Sequence, residues 1–250
     1  MKLNKHGIEF SISDVIRYFR SPYSSWATWA NLQKPGYIFV ENDMVQNSSL
    51  LLRSEENEDS AKRYLINNHD EVKTISNPLN ALHESQEYIE KNIEVIVQPT
   101  LKRDNFIGRA DFLIFNKEQS LYEVMDAKLA KQIKSEFLLQ VCGYTWMLET
   151  YQNKIPKYGW FFLGNEEVET FRINEFYRFF IDLKEEFLDQ VNNYSLDNQP
   201  KPRKSEVFEE YSDAANLYWK ENQSLELIAD ISSRQIDLLE KENYKTIDDV

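Results

Sequence analysis

The stretch Gly108–Lys128, GRADFLIFNKEQSLYEVMDAK, decides how this chain is read. It reads as two short strands joined by a polar turn, NKEQS, a plausible hairpin loop. Each strand carries one carboxylate, Asp111 and Asp126, and the second ends in Lys128. Residues two apart in a strand share a face, so Asp126 and Lys128 point the same way, with Val124 and Tyr122 behind them. If the strands pair through the short loop, Asp111 sits opposite Asp126. Two carboxylates in otherwise apolar strands repel each other and are costly to bury.

A divalent cation removes that objection. Two carboxylates, with waters and a substrate phosphate completing an octahedron, describe a Mg²⁺ site. Lys128 then reaches the attacking water or the scissile phosphate, and the chemistry suggested is metal-assisted phosphodiester hydrolysis. The competing reading is an ordinary ion pair near a sheet end, since the chain is 28% charged. Three features favour the cation: a glycine three residues before Asp111, apolar residues around both acids, and a long helix further on. That helix carries Gln140 and Tyr144 four residues apart on one face, where both can reach one substrate.

The rest of the chain builds a frame for this hairpin. SISDVIRYFRSP (Ser11–Pro22) reads as a helix capped by Ser11 or Ser13, with Val15, Ile16 and Phe19 as its stripe and Pro22 as its stop. YSSWATWANL continues as a second helix whose Trp26 and Trp29 are core residues. An acidic helix from Ser49 to about Leu65 is expected to bury Leu51, Leu52, Ala61, Tyr64 and Leu65, and NPLNALHESQEYIEKN gives another helix. IEVIVQPTLK alternates as one strand, with Ile93, Val95 and Val97 on one face and Pro99 implying an edge or a bulge. SEFLLQVCGYTWMLETYQ is the clearest helix, capped by Ser135, with Phe137, Leu138, Val141, Thr145 and Leu148 in helical period. Two further strands, KYGWFFLG and EVETFRI, precede a long amphipathic helix capped by Asn174. SLDNQPKPRK (195–204) is a polar linker with two prolines, and helices follow to the end. Helix, strands, crossover helix and strands again predict an α/β (α+β) fold with a mixed central sheet flanked by helices and a helical C-terminal extension.

Composition bounds the function. The chain has 250 residues, 42% hydrophobic and 14% aromatic, enough for a real core. Its 29 basic and 42 acidic residues leave a net charge of −13, which argues against a nonspecific nucleic-acid coat. Local basic groups remain: Lys128, Lys131 and Lys134 beside the hairpin, and Lys201, Arg203 and Lys204, read as solvated surface residues. One cysteine, Cys142, forms no disulfide pair and no cysteine metal site; it reads as a small core residue. His6, His69 and His83 are scattered and read as surface residues. The six glycines form no phosphate-cradling loop. The N-terminus lacks the apolar core of a signal peptide and no stretch approaches membrane-spanning length, so a soluble cytoplasmic protein with no membrane partner is expected.

Gly-x-x-Asp, then Asp-x-Lys, then Gln-x-x-x-Tyr is the signature order of the PD-(D/E)xK nuclease superfamily in its RecB-like branch, and this chain resembles that family from about Ile12 to Phe180. IEVIVQPTLKRDNFIGRADFLIF, YEVMDAKLAKQIK, LLQVCGYTWML and the opening SISDVIRYFRSPYSSW carry the resemblance. It implies a restriction-endonuclease-like fold over residues 1–194 and DNA cleavage dependent on Mg²⁺ or Mn²⁺, in DNA repair, recombination or defence, alongside a helicase. Asp111 and Asp126 are then metal ligands, Lys128 the catalytic lysine, and Gln140 and Tyr144 the motif that holds the active site or DNA. The family adds an upstream ligand four residues after a glycine. The matching stretch here is RSEENEDSAKRYL, with Ser54 in the glycine place and Glu58 in the ligand place, and Glu55, Glu56 and Asp59 as close competitors.

Two departures are visible. Iron–sulfur relatives place a cysteine where this chain has Ser21, before Pro22, and three more near SEVFEEYSDAANLYW, which has none. The resemblance therefore implies no iron–sulfur cluster, with packing holding the N- and C-terminal helices together instead. Residues 205–250 resemble a helix-hairpin-helix-like extension, trimmed or decayed, whose usual turn glycine is replaced near Asn243. A rival reading is a nuclease-fold module that binds DNA or a partner without cutting, and another is an acidic interaction subunit that mimics DNA.

Overall fold

The structure is a computed structural model that describes residues 1–5, 7–40 and 47–250, with residues 47–50 described by their backbone alone. In chain order the elements are β1 (Lys2–Asn4), β2 (Gly7–Glu9), α1 (Ile12–Arg20), α2 (Pro22–Gln33), α3 (Asn47–Asn68), β3 (Val72–Thr74), α4 (Ala81–Glu90), β4 (Val95–Val97), β5 (Thr100–Arg103), β6 (Phe106–Arg109), β7 (Phe112–Asn116), β8 (Leu121–Lys128), α5 (Ser135–Gln152), β9 (Tyr158–Leu163), β10 (Val168–Arg172), α6 (Tyr177–Asn193), α7 (Ser212–Glu221) and α8 (Ser233–Lys241). They form two compact units, one of Asn4–Ser13 with Met44–Lys184, the other of Met1–Leu3, Asp14–Asp43 and Glu185–Val250. This partition cuts across the 1–194, 195–204 and 205–250 division read from the sequence.

The first unit is a mixed six-stranded sheet in the order β10-β9-β8-β7-β4-β3. β8 is central, antiparallel to β7 and parallel to β9, which the crossover helix α5 allows. With partners on both edges and helices on both faces, seven of its eight residues are buried. On one face Ala61 and Leu65 of α3 pack on Val95, Val97, Phe112, Met125, Ala127 and Phe162. On the other face lies α5. Gly159 of β9 lets it approach, because a Cβ there would come within 2.7 Å of Val141 Cγ1. Phe137 of α5 meets Phe161 of β9 at 6.4 Å between ring centroids. Gly143 faces away from the sheet, and a Cβ on it would meet Ile12 at 2.6 Å and Phe180 at 3.0 Å. Helix α5 is thus buried almost all round, from Leu139 to Leu148.

Several expectations are corrected. IEVIVQPTLK is two strands, not one: Gln98 takes φ 55 and Pro99 has no N–H, so β4 stops at Val97 and β5 turns off to form a separate hairpin with β6. The acidic helix buries Ala61 and Leu65, but Leu51 and Leu52 are about 60% exposed and Tyr64 is also exposed, because the first turns of α3 run on past the part that packs on the sheet. In α1 the buried stripe is Ile12, Val15 and Tyr18, with Phe19 exposed. Ser135 is the first residue of α5 and its hydroxyl does not cap it. Asn174 lies in a 3₁₀ turn ahead of α6, which starts at Tyr177.

In the second unit Ser21, not a helix interior, precedes Pro22: Ser21 caps α2 by accepting from Ser24 N at 2.9 Å, and Pro22 is the first helical residue. The Ser21 hydroxyl donates to Glu206 Oε2 at 2.6 Å, and that oxygen also accepts from Tyr23 N at 3.2 Å. Tyr23, Trp26, Ala27 and Ala30 pack on Phe208, Tyr211 and Ala215, and the Trp26 indole donates to Ser195 O at 2.9 Å. Lys201 and Arg203 are not free surface cations. Lys201 Nζ lies 3.2 Å from Glu226 and 2.7 Å from Glu240, and Arg203 Nη1 lies 2.9 Å from Glu240. Asn243 follows α8 at φ 69, a left-handed position that asparagine tolerates in place of glycine.

Candidate active site

Asp111 is not inside a strand; it occupies the bend between β6 and β7. The register Phe112↔Met125 nevertheless continues to Asp111 opposite Asp126, as the hairpin reading expected. The segment is clamped from its other side, where Gln98 N donates to Asp111 O at 2.7 Å and Ala110 N to Pro99 O at 3.0 Å. The Asp111 side chain reaches across to β8, its Oδ2 accepting from Ala127 N at 2.8 Å.

Asp126 is 1% exposed. Its Oδ1 is 3.5 Å from Gln140 Nε2. Its Oδ2 is buried and accepts no aligned hydrogen bond from the described residues, its ion-pair contact being Lys128 Nζ at 2.7 Å. Lys128 Nζ also donates to Gln140 Oε1 at 2.9 Å and stands 5.2 Å from the Phe137 ring centre. Gln140 thus holds both ends of the Asp-x-Lys pair with one amide. Tyr144, one turn on, is buried beside Gly108; a Cβ at Gly108 would lie 3.1 Å from Tyr144 Cε1, so the glycine before Asp111 makes room for this ring.

Glu58, on α3, joins the electrostatics of the site. It is half-buried, and Gln98, Arg109, Asp126 and Lys128 all act on its charge. Glu55, Glu56 and Asp59 are exposed, so the helix turns only Glu58 of the four toward the sheet. Gln98 and Arg109 were missed in the sequence reading. The signal for Gln98 was Pro99 at a strand end; nothing in the sequence singled out Arg109.

The charges are mutually dependent. Burial and the neighbouring Asp126 push the Asp111 carboxyl well above its usual range, against the Ala127 N–H and Lys128. Burial also raises Glu58, opposed by Gln98, Arg109 and Lys128. Burial works against the Lys128 ammonium, but Asp126, Asp111 and Glu58 outweigh it and hold the group above its ordinary value. Burial, with both acids, raises the Tyr144 phenol.

Among the described residues, no three His, Cys, Asp or Glu side chains stand together as a ready cation cage. Asp111 and Asp126 do stand together. Mg²⁺ characteristically uses one or two carboxylates plus waters and substrate phosphates, and the buried Asp126 carboxylate, opposite Asp111, supplies the kind of hard oxygen it takes. The donor set fits. Outside this cluster, Cys142 is buried, its thiol pushed up to about 12, and is inert. His83 is exposed and His69 is half-buried with Nδ1 3.1 Å from Leu65 O; His6 lies outside the described residues.

No known protein family matches the sequence, and no curated protein matches it. Among solved structures the fold is similar to one described as the crystal structure of SSO0001, with 13% identity over 72% of this chain and 75% of that one, at a TM-score of 0.39. Among the described residues, no helix is long and apolar enough to cross a membrane.

Proposed function

We propose that this chain is a metal-dependent DNA nuclease of RecB-like, PD-(D/E)xK type. The observation that carries the reading is the cluster where β7 begins and β8 ends: Asp126, Lys128 and Gln140 meet through contacts of 2.7–3.5 Å, and Asp111 is bonded at 2.8 Å to the backbone of Ala127 between them. The order of elements supports it: helix α3, the antiparallel β4, β7 and β8, crossover α5, and β9 parallel to β8 are compatible with the restriction-endonuclease-like fold that the resemblance implies.

Asp111 and Asp126 would hold Mg²⁺ or Mn²⁺, with Glu58 beside them. When bound, such a cation supplies Lewis-acid stabilisation of charge on phosphate oxygens. The chain's own groups do the rest. Lys128 presents a fixed positive charge where a scissile phosphate would gain negative charge, and Gln140 keeps its ammonium aimed by accepting from it. Because Gln140 and Asp126 already orient the ammonium, little reorganisation is needed at the moment of reaction. Arg109, exposed beside Glu58, supplies a second cation at the rim for the DNA backbone.

The test uses the purified chain with single- and double-stranded DNA, Mg²⁺ or Mn²⁺, and a chelator control. Cleavage that appears with the cation and disappears with the chelator is the expected result. Absence of cleavage under both cations on both substrates would remove the enzymatic reading.

A further inference from the structure

The loop that follows Lys128 is held at both ends. At its start, Gly164 of the β9–β10 turn donates its N–H to Ala130 O at 3.1 Å. The two backbones approach so closely that a Cβ on Gly164 would fall 2.1 Å from Leu129 O. Gly164 does not take positive φ, so room for Leu129, not turn geometry, requires a glycine there. At the other end, Lys134 O accepts from Phe137 N at 3.0 Å in the first turn of α5. Lys131 and Lys134, both exposed, are therefore carried on a tethered segment. Among the described residues neither is ion-paired, and the adjacent acid, Glu136, accepts from the Ser135 hydroxyl at 3.4 Å. Phe137 is half-buried and seated on Phe161, 6.4 Å between ring centres. Lys128 Nζ lies 5.2 Å and Lys134 Nζ 5.8 Å from the centre of the Phe137 ring. One anchored ring thus carries both the lysine of the site and a lysine of its border.

Resting on the nuclease reading for where the scissile phosphate lies, we propose that Lys131 and Lys134 form a rim that binds the phosphates flanking it, with Phe137 as the spacer that sets Lys134 beside Lys128. A chain of net charge −13 repels a polyanion overall, so its grip on a DNA strand has to be local. A strand carries one phosphate charge per about 3.4 Å of axis, so any strand laid over Lys128 brings further phosphates to the neighbouring ammonium groups. Tethering matters because a held lysine loses less freedom on contact than a loose one. Phosphate contacts fix register and carry no sequence information. The rim therefore decides which phosphodiester is presented to Lys128, not which base stands beside it.

The experiment measures binding of a fluorescently labelled DNA oligonucleotide, as single strand and as duplex, to the full chain by anisotropy across a salt series. A chelator is present so that nothing is cut. The slope of log affinity against log salt counts the phosphates neutralised. Lys131→Ala and Lys134→Ala are each expected to make it shallower by about 0.7 on the single strand or about 0.9 on the duplex. Lys154→Ala, at an exposed lysine beyond the other end of α5, is expected to leave it unchanged. Phe137→Leu is expected to weaken binding about 2- to 5-fold, and Phe137→Tyr, which keeps the ring face, to restore it. Gly164→Ala removes no charge but displaces the loop, and is expected to flatten the slope as well; if it does not fold, the lysine variants carry the test. Unchanged slopes in both lysine variants, equal flattening by Lys154→Ala, or an unaltered chain that binds neither oligonucleotide would overturn the rim. Cleavage with Mg²⁺ or Mn²⁺ is measured separately. A chain that cuts while its slopes ignore the two lysines keeps the nuclease reading and loses the rim. A chain whose slopes follow the lysines but never cuts keeps the rim and loses the nuclease reading.

Discussion

Asp126 Oδ2 and Lys128 Nζ stand 2.7 Å apart on the same side of β8, one pleat from each other, with the carboxylate 1% exposed. A pair so enclosed does two jobs. The lysine compensates the acid in the apo protein, and it carries positive charge at the place where a substrate phosphate would need it. Lys128→Ala separates the two. Cleavage is expected to fall roughly 10²–10³-fold through lost charge stabilisation in the transition state. The apo protein is expected to lose stability as well, because Asp126 is left buried without its partner. Mn²⁺ should then raise the melting temperature of the variant more than that of the unaltered chain. A variant that loses cation binding and cleavage together would show that Lys128 organises the site instead of acting in it.

Asp111 gives a pH prediction with a definite sign. Burial and Asp126 raise its carboxyl above the unfolded value, so the folded apo state holds a proton that the unfolded chain releases. Its favourable contribution is fully present below the unfolded pKa, near 3.9, and is lost as pH rises through the raised folded value. Asp111→Asn removes that dependence. The variant is expected to melt higher than the unaltered apo protein at neutral pH and to show a flatter pH profile, while losing stabilisation by Mn²⁺ and losing cleavage. Asp126→Asn is expected to abolish both as well. Melting curves across pH, with and without Mn²⁺, check this, and full activity in either variant would refute the assignment.

How much of this was legible in the sequence follows from which forces fix each part. Period-two spacing placed Asp126 and Lys128 on one face, and the short loop placed Asp111 opposite Asp126, because strand geometry and hairpin register are local. Helix α5 was legible for the same reason. The stripe of α3 was not: Leu51 and Leu52 look buried by hydropathy, yet only tertiary packing decides how much of a long helix meets the sheet. The break of IEVIVQPTLK into β4 and β5 was only half legible: Pro99 marked a bulge, but the left-handed turn at Gln98 is one that glycine usually marks. The pairing of Lys201 and Arg203 with Glu226 and Glu240 was likewise beyond any local pattern, with 20 or more residues between the partners.

The structure also sorts the four acids of α3. Glu58 is half-buried and the charges of Asp126 and Lys128 act on it, whereas Glu55, Glu56 and Asp59 are exposed. Glu58→Gln is expected to weaken Mn²⁺ binding and cleavage at limiting cation. Glu55→Gln, Glu56→Gln and Asp59→Asn are expected to leave both unchanged and to shift stability by about 0.5 kcal/mol or less. Calorimetric titration of the four variants checks it; a loss at any of the three exposed acids equal to that at Glu58 would mean the helix is turned differently.

Ser21 and Glu206 make a structural prediction separate from the chemistry. The buried hydroxyl both caps α2 and donates to Glu206 Oε2 at 2.6 Å. Ser21→Ala removes the cap and one partner of a carboxylate, and is expected to cost about 1–3 kcal/mol. Ser21→Cys tests whether a thiol in the same place substitutes for the hydroxyl; a thiol is a weak donor, so most of the loss should remain. Chemical denaturation measures both, and a neutral Ser21→Ala would show that the aromatic packing around Tyr23 and Phe208 alone holds this segment.

Gln140 and Val141 are neighbours on α5 with opposite tasks. Gln140 accepts from Lys128 and reaches Asp126, at the edge of the site, while Val141 is fully buried against Gly159 of β9. Gln140→Ala removes little packed surface, so the melting temperature should change little, but the ammonium of Lys128 loses the partner that aims it and cleavage should fall. Val141→Ala leaves every polar contact of the site in place and opens a cavity beside a glycine that cannot fill it, at a cost of roughly 1–3 kcal/mol. Its surviving folded fraction should cleave as the unaltered chain does. The separation works because the two side chains point about 100° apart on one helix, so each substitution reaches only one environment. A scaffold without chemistry would show the Val141 effect and nothing at Gln140. Losses of cleavage that track unfolding equally in both variants would count against a catalytic face on α5.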